Sequence, residues 1–351
     1  MGKTIYISDI RSNVNNGKST GHFIPVAKMY QKIFQQENVV VAGGPIYKKY
    51  FDSSELLSLP YNISGTSLLD KIKTMKNCIR LFKATKGNTI ILQQSSIITS
   101  FIGILLFYHS KSKLYLIQYS NECLKSRIGR FLYRLIKNKI NGIICPTDNL
   151  GKTFNIPYCV VPDYIYTKEI NQERIAYKDF EKTKYDFCIL GRIAPEKGVI
   201  ESAQKLAQTK YKVLIAGRAQ TQDLEYELRR ICSDANNIDL ILDYISDEQY
   251  IQYLNQSKYA LLNYQQTYSE RSSGVVFDML FNNVPVIGKE CFTLNFVREE
   301  NLGYLYSSLD NFSPELVMHK ELYNQYINNI NHYKKKHSLF ILKLRNFIGN
   351  E

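Results

Sequence analysis

The chain has 351 residues, of which 44% are hydrophobic and 22% charged, and its formal net charge is +13. This length exceeds what one hydrophobic core usually covers, and the composition excludes a disordered or fibrous protein, so two globular domains are expected. The seven cysteines lie singly along the chain, without paired metal-ligand spacing. Together with the lack of a signal-peptide pattern, this predicts reduced thiols in a cytoplasm.

The positive charge is confined to the first half of the chain. Residues 1–165 contain 22 Lys and Arg against 8 Asp and Glu, a net +14, whereas the remainder contains 23 against 24, a net −1. A basic half suits an anionic partner such as a membrane surface, a phosphate-bearing lipid or nucleic acid. A solvated basic face with no ligand is the alternative.

The first half alternates strand-like apolar runs with helical patterns. The runs cover residues 4–10, 39–44, 89–94, 113–119 and 142–146. This alternation is typical of a parallel α/β sheet. The loop "NNGKSTGHF" after the first run resembles a phosphate loop but has Ser12 where that motif has its first glycine. A Walker-type ATPase is therefore not expected.

Two helical segments of this half carry unusual patterns. The longest apolar run, residues 97–108, is too short to cross a bilayer and predicts a buried or interfacial helix. The segment 125–139, "KSRIGRFLYRLIKNK", sets cations beside an apolar stripe at helical spacing and could lie on anionic lipid. The cations are Arg127, Arg130, Arg134 and Lys137, and the stripe is Ile128, Phe131, Leu132, Leu135 and Ile136.

A second alternation follows a polar linker stretch that begins near residue 171. Its strand-like runs cover residues 185–193, 211–218, 238–245, 259–264 and 284–288. The chain is therefore predicted to form two doubly wound domains, 1–165 and 166–335. Ligands of such sheets bind at the carboxyl ends of the strands, here in a cleft between the domains. Residues 336–351, the end of a lysine-rich helical tail, are expected to return to the N-terminal domain.

The segment "ILGRIAPEKGV" places Gly191 and Arg192 directly after a strand and Lys197 before a helix. The two cations could converge on one dianionic group, and Gly191 leaves room for its close approach. They would then stabilise the charge that develops on a leaving diphosphate. Surface cations without a ligand are the alternative.

The segment "SERSSGVVFDMLFNNVPVIG" predicts a turn at 269–273, a helix through Phe281 and a strand after Pro285. Asn282 and Asn283 are good left-handed residues for the end of that helix. The free amides of Ser272, Ser273 and Gly274 at its start would favour an anion.

Glu270 and Asp278 lie eight positions apart, which spans about 12 Å along a helix axis. That separation can hold a sugar and a ribose at the two ends of a diphosphate. A capping Glu270 and a solvated Asp278 are the alternative interpretation.

In order and spacing, "GRIAPEKG", "VLIAGRA", "ISDEQYIQYLNQSKYALLNY", the two acids and "NNVPVIG" resemble the donor-binding half of the GT-B glycosyltransferases, in particular the retaining family 4. The resemblance covers residues 185–306 closely and the first half loosely. It implies an α/β GT-B fold: two Rossmann-like domains facing a cleft, with a C-terminal helical tail. The family has Glu, seven residues and Glu, whereas here the second acid is Asp278.

The resemblance also implies roles for single residues. Glu270 would bond hydroxyls of the donor sugar, Asp278 would take the ribose, and Arg192 and Lys197 would clamp the diphosphate. Further donor contacts are expected from Gly191, Gly217, Arg218, Tyr244, Ile245, Ser272, Ser273, Gly274 and Val275. Acceptor contacts are expected from Gly17, Lys18, Ser19, Thr20, His22 and Tyr119, with an ordinary loop and a structural histidine as alternatives. Members of the family normally act without a metal, so neither a metal nor a cofactor is expected here, the nucleotide-diphosphate sugar being a substrate.

The chain departs from the family at three places. A histidine usually follows the strand at 113–119, where Gln118, Tyr119 and Ser120 stand. The small residue after the first acid is replaced by Arg271, and a Pro-Ser pair by Asn263 and Tyr264.

The predicted function is transfer of a hexose from a UDP- or GDP-linked sugar to a glycan or lipid-linked glycan in surface polysaccharide biosynthesis. The expected location is the cytoplasm, at the inner face of a membrane. The alternatives are a nucleotide-sugar epimerase of the same fold, a basic nucleic-acid-binding protein and a catalytically silent GT-B protein. No nucleic-acid-binding motif is present in the sequence, and the positive charge stops where the donor motifs begin.

Overall fold

Two parallel sheets contain nearly all strands of the chain. The structure is a computed structural model that describes residues 3–15, 17–19, 23–93, 97–161, 179–266 and 272–349. The strands are β1 (Ile5–Ser8), β2 (Val14–Asn15), β3 (Lys18–Ser19), β4 (Val39–Gly43), β5 (Leu56–Ser58), β6 (Thr89–Leu92), β7 (Lys113–Ile117), β8 (Gly142–Cys145), β9 (Tyr158–Val160), β10 (Tyr185–Leu190), β11 (Val213–Ala216), β12 (Ile238–Ile241), β13 (Ser257–Leu262), β14 (Val286–Lys289) and β15 (Gly303–Tyr306).

Helices connect most of these strands. They are α1 (Phe23–Ile33), α2 (Leu68–Ala84), α3 (Ile98–Phe107), α4 (Glu122–Lys125), α5 (Arg127–Ile136), α6 (Asp148–Lys152), α7 (Val199–Ala207), α8 (Gln222–Ser233), α9 (Asp247–Asn255), α10 (Gly274–Phe281), α11 (Asn295–Glu299), α12 (Lys320–Ser338) and α13 (Phe340–Gly349). Among the residues described, none of these helices is both long and apolar enough to cross a membrane.

The chain divides into two compact units: Met1–Lys168 with Leu339–Glu351, and Glu169–Ser338. The sheet of the first unit has the strand order β5-β4-β1-β6-β7-β8-β9, and that of the second has the order β12-β11-β10-β13-β14-β15. Every pairing in both sheets is parallel. Central strands such as β6 and β11 are buried along their whole length because helices cover both faces of such sheets. The predicted α/β architecture is therefore confirmed.

The predicted strand runs coincide with β1, β4, β6, β7, β8 and β10 to β14, whereas β5, β9 and β15, which the sequence did not reveal, lie at sheet edges. β5 and β9 have three residues each and are largely half-buried. The sequence 14–19 forms a small antiparallel hairpin of β2 and β3, in which Gly17 has φ +70°. These segments are too short to show a periodic apolar pattern.

The two C-terminal helices pack on different units. On α12, Tyr323 packs against Tyr259 of β13 with ring centroids 5.5 Å apart, inside the second unit. On α13, Phe347 packs against Tyr115 of β7 at 5.4 Å, and Arg345 donates to the carbonyl of Ile33 at 2.8 Å, inside the first unit.

The helix α10 ends where the sequence predicted, at Phe281. Asn283 has the left-handed φ of +55°, but Asn282 has φ −98° and continues the last turn with its amide. Only the second asparagine of the pair therefore takes the expected left-handed conformation.

Candidate functional site

The carboxyl ends of β10 and β13 meet at the topological switch point of the second sheet. From β10 the chain builds outward through β11 and β12 on one side and through β13, β14 and β15 on the other. Loops that leave two neighbouring strands in opposite directions open a crevice at this place, where doubly wound proteins bind their ligands. Gly191 follows β10 directly, and α10 follows β13.

Two glycines allow the loops at this edge to approach closely. Gly191 has φ +96° and Gly217, which follows β11, has φ +152°. A Cβ on Gly217 would lie 1.8 Å from the Gly191 carbonyl oxygen, so no side chain fits there. The amide of Gly191 donates to Ala216 at 3.0 Å and that of Ile193 to the carbonyl of Arg218 at 3.0 Å. The backbone beyond β10 is thereby held against the loop after β11.

Lys197 is directed toward Gly191. Its Nζ lies 3.8 Å from the position that a Cβ on Gly191 would occupy, and Val275 Cγ2 of α10 lies 3.7 Å from the same point. Burial, followed by the nearby charge of Arg192, lowers the pKa of Lys197 from 10.5 to about 8, although Glu196 opposes the shift. Within the described ranges its Nζ has no hydrogen-bond or ion-pair partner. The Lys197 ammonium is therefore not neutralised by any described residue, and this favours binding of an anion beside it.

Arg192 is already engaged. Its Nη2 lies 2.9 Å from Oε1 of Glu196, and 58% of its side chain is exposed. Such an exposed pair adds little to stability, so the guanidinium can exchange Glu196 for a phosphate at small cost. Glu196 itself was not anticipated from the sequence, although its spacing of four residues from Arg192 is a recognisable signal.

The start of α10 has no side-chain cap. Ser273 is the N-cap residue, but its Oγ lies 2.7 Å from the Tyr264 hydroxyl, buried, and does not bond the helix amides. The Ser272 Oγ is also buried and, as far as the described residues show, has no partner. An uncapped helix start with no acid in its first turn favours an anion.

Asp278 lies further along α10, half-buried beside Tyr250 of α9. Burial, and next the charge of Asp278, raise the pKa of Tyr250 well above its usual value. The Tyr250 hydroxyl remains protonated and close to the carboxylate, but the geometry falls short of a hydrogen bond. Tyr250 was not predicted; only its place in "ISDEQYIQY" pointed to this region.

The departures at Asn263 and Tyr264 have a structural explanation. Asn263 is buried; its Nδ2 donates to the Gly198 carbonyl at 3.3 Å, and its Oδ1 accepts from the Tyr306 hydroxyl at 3.2 Å. A Cβ on Gly198 would lie 2.2 Å from the Asn263 carbonyl oxygen. The contacts between Asn263 and Gly198 therefore join the loop after β13 to the start of α7. Tyr264 fixes the start of α10 through its bond to Ser273.

The other predicted donor residues follow strands further from the switch point, or lie outside the described residues. Arg218 is exposed after β11, and Tyr244 is exposed with Ile245 half-buried after β12. β12 lies two strands from β10 in the sheet, about 10 Å away. Glu270, the first predicted acid, lies outside the residues that the structure describes.

The predicted acceptor residues belong to the first unit. Gly17 and Ser19 lie in the β2–β3 hairpin with the backbone of Lys18, and Tyr119 is half-buried after β7. Thr20 and His22 lie outside the described residues. Their acceptor role stays a prediction, as does metal independence.

A buried carboxylate at the end of β1 is structural. Asp9 accepts from the amides of Arg11 at 3.0 Å and Ser12 at 2.9 Å and from the Tyr47 hydroxyl at 2.8 Å. Burial raises the pKa of Asp9 and outweighs these bonds. Its oxygens are used in fixing the loop after β1.

Comparisons of the whole chain with solved structures find the GT-B architecture. Anabaena HepE, solved in complex with UDP and glucose, is 12% identical over 100% of both chains with a TM-score of 0.66. The lipopolysaccharide outer core galactosyltransferase WaaB is 13% identical over 99% of both chains, with a TM-score of 0.66. The N-terminal domain of Candida albicans trehalose-6-phosphate phosphatase is 9% identical over 99% of this chain and 97% of that one, with a TM-score of 0.69.

These likenesses show that the chain has the GT-B fold. No protein-family model matches the sequence, and a search of curated proteins finds no match either. At identities this low, function has to be argued from the residues at the site.

Proposed function

We propose that the chain is a glycosyltransferase that moves a hexose from a UDP- or GDP-linked sugar to a glycan or lipid-linked glycan. The observation that carries the proposal is the position of Lys197, whose Nζ lies 3.8 Å from the Cβ position of Gly191, with Val275 of the uncapped helix α10 beside the same point. A cation, a glycine backbone and helix amides at the switch point of a parallel sheet together suit a diphosphate.

The chemistry follows from where the charge develops. The bond between sugar C1 and the diphosphate oxygen breaks, C1 bonds to the acceptor oxygen, and the hydroxyl proton passes to the released nucleoside diphosphate or to solvent. Lys197, the start of α10 and Arg192, once it leaves Glu196, would stabilise the negative charge on the leaving diphosphate. Retention of configuration and metal independence belong to the proposal through the family 4 resemblance.

The remaining donor contacts are assigned on the same basis. Asp278 would accept hydroxyls of the ribose, with the protonated Tyr250 hydroxyl close to its carboxylate. Glu270 would accept hydroxyls of the sugar. HepE, solved with UDP and glucose, is a precedent for these ligands on this fold.

The acceptor side of the proposal rests on the basic first half of the chain. Its net charge of +14 over residues 1–165 suits a phosphate-bearing lipid carrier of the growing glycan. The proposed setting is surface polysaccharide biosynthesis in the cytoplasm, at the inner face of a membrane. WaaB, described as a lipopolysaccharide outer core galactosyltransferase, has the same fold.

Thermal unfolding with UDP, GDP, ADP and CMP in separate samples tests the donor site. A nucleotide present at about 100 times its dissociation constant should stabilise the native state by about 2.7 kcal/mol. Asp278→Ala should abolish the response. Asp234→Ala, which removes an exposed carboxylate at the end of α8, is the matched control and should preserve it.

Turnover is tested with the nucleotide sugar whose base gives the response. Appearance of the hexose on a glycan or lipid-linked acceptor would support transfer. Conversion of the nucleotide sugar into its epimer, with no transfer, would contradict it. If no nucleotide stabilised the protein and no sugar were transferred, the proposal would fail.

A further inference from the structure

The helices α2, α3 and α5 of the first unit form one continuous row. On α3, a Cβ added to Gly103 would lie 2.6 Å from Cys78 Sγ of α2, so these helices are in close contact. Phe101 of α3 packs against Tyr133 of α5 with ring centroids 5.9 Å apart. The outer surfaces of the three helices therefore adjoin.

The orientation of α5 is fixed by its inner face. Tyr133 is buried and donates to the Phe154 carbonyl at 2.7 Å, and Ile136 is fully buried. Gly129 lies so close to α4 that a Cβ would be 1.8 Å from the Cys123 carbonyl oxygen. These contacts determine which residues of α5 face outward.

The outer face of α5 is apolar and cationic. Ile128, Phe131 and Leu135 are 62%, 61% and 46% exposed, and they recur at i, i+3 and i+7. The arginines recur at the same spacing one residue earlier, about 100° around the helix; they are Arg127, Arg130 and Arg134, all exposed. A helix whose buried side is filled by other residues thus presents an additional apolar stripe to solvent.

The neighbouring helices extend this surface. On α2, Leu68, Leu69, Ile72 and Ile79 are exposed, and on α3 so is Leu106. The three helices contain eight basic residues and one acid, Asp70, which is buried and bonded to Ser67. Large aliphatic and aromatic groups exposed among cations suit an anionic bilayer, whose headgroups pair with the cations while the apolar side chains enter its interface.

We propose that the outer face of α2, α3 and α5, called here the three-helix face, docks on anionic lipid membranes. The proposal rests on the proposed function only in placing the enzyme beside a lipid-linked acceptor. Nucleic acid, the other anionic class, would use the arginines but leave the apolar stripe in water. A row of clustered exposed apolar groups marks an interaction surface.

Co-sedimentation of the full-length protein with lipid vesicles tests the proposal. Phosphatidylcholine vesicles with and without phosphatidylglycerol are compared at low and high ionic strength. Binding is expected to require phosphatidylglycerol and to weaken with salt. The triple variant Arg127→Gln, Arg130→Gln, Arg134→Gln should bind on the order of 100-fold more weakly, since each charge near such a surface is worth about fivefold.

The apolar stripe is tested by the triple variant Ile128→Ser, Phe131→Ser, Leu135→Ser, which should lose at least about tenfold in vesicle affinity. The control is Leu339→Ser with Leu342→Ser, which removes exposed leucines beside or on α13 and should bind as the wild type does. Equal loss in the control, or full binding by the stripe variant, would overturn the proposal. So would binding to RNA but not to vesicles.

The nucleotide-induced thermal shift of the second unit serves as an independent readout. All three variants replace solvent-exposed side chains and should keep the melting temperature and the nucleotide response of the wild type. Lost vesicle binding with an intact nucleotide response locates the defect on the three-helix face. If nucleotides did not raise the melting temperature of the wild type, that result would count against the proposed function. Vesicle binding would still test the three-helix face by itself.

Discussion

Replacing Lys197 by methionine should stabilise the unliganded protein while abolishing its response to nucleoside diphosphates. The half-buried ammonium has no bonded partner among the described residues, and its pKa falls from 10.5 to about 8. At about 1.4 kcal/mol for each pKa unit, holding the charge there costs about 3 kcal/mol. Methionine fills a similar volume without charge, so a gain of about 1–3 kcal/mol in unfolding free energy is expected at neutral pH.

The pH dependence has a definite sign. Below pH 8 Lys197 is protonated in both the folded and the unfolded chain, and the full cost is present. Between pH 8 and 10.5 the unfolded chain binds the extra proton, so wild-type stability rises relative to the variant. The advantage of Lys197→Met should therefore shrink through this window, as measured by urea unfolding at several pH values.

Lys258→Met is the matched control. Lys258 is also partly buried in the second unit, but its Nζ lies 2.8 Å from Asp186 Oδ1 and 4.3 Å from the centroid of the Phe180 ring. Removing it leaves Asp186 without its cation, so this variant should lose about 1–3 kcal/mol. If Lys197→Met destabilised the protein as Lys258→Met does, or kept the nucleotide response, Lys197 would be a structural residue and not part of an anion site.

Three further predictions concern the same edge of the sheet. Affinity for the stabilising nucleoside diphosphate should fall above about pH 8 as free Lys197 loses its proton, and calorimetric titration of Lys197→Met should show no such fall. Gly217→Ala should cost at least about 3 kcal/mol, because its Cβ would lie 1.8 Å from a backbone oxygen; a change below 1 kcal/mol in chemical unfolding would contradict this. Ser273→Ala should cost roughly 1–2 kcal/mol because it removes the buried hydrogen bond between Ser273 and the Tyr264 hydroxyl. An unfolding free energy equal to that of the wild type would contradict this prediction.

The sequence was sufficient for the fold because long apolar runs at regular spacing leave few alternatives. β10 and β11 are buried over nearly their whole length and separated by a helix, as a parallel sheet requires. The edge strands β5, β9 and β15 are only partly buried and lie in short apolar segments, so a pattern in one sequence does not separate them from loops; the edge strand β12 was predicted because it lies within the longer run 238–245.

The candidate site was only partly predictable. Gly191 and Lys197 were found because a glycine after a strand and a cation before a helix are local signals. The contact of Tyr250 with Asp278 and the bond from Asn263 to Gly198 depend on tertiary packing between separate segments, which no spacing in the sequence encodes. The same limit applies to α5: a helical stripe was visible, but only the packing of the helix shows that Ile128, Phe131 and Leu135 face outward while Ile136 is buried.

The central claim is that a nucleoside diphosphate binds beside Gly191, Lys197 and the start of α10. It is tested most directly by backbone amide NMR of the labelled protein during titration with UDP and GDP. Binding at this place should give saturable shifts of the amides of Gly191, Gly274 and Val275, with little change at Gly303 of β15, at the far edge of the same sheet. Saturable binding that left Gly191, Gly274 and Val275 unmoved would place the nucleotide elsewhere and contradict the claim.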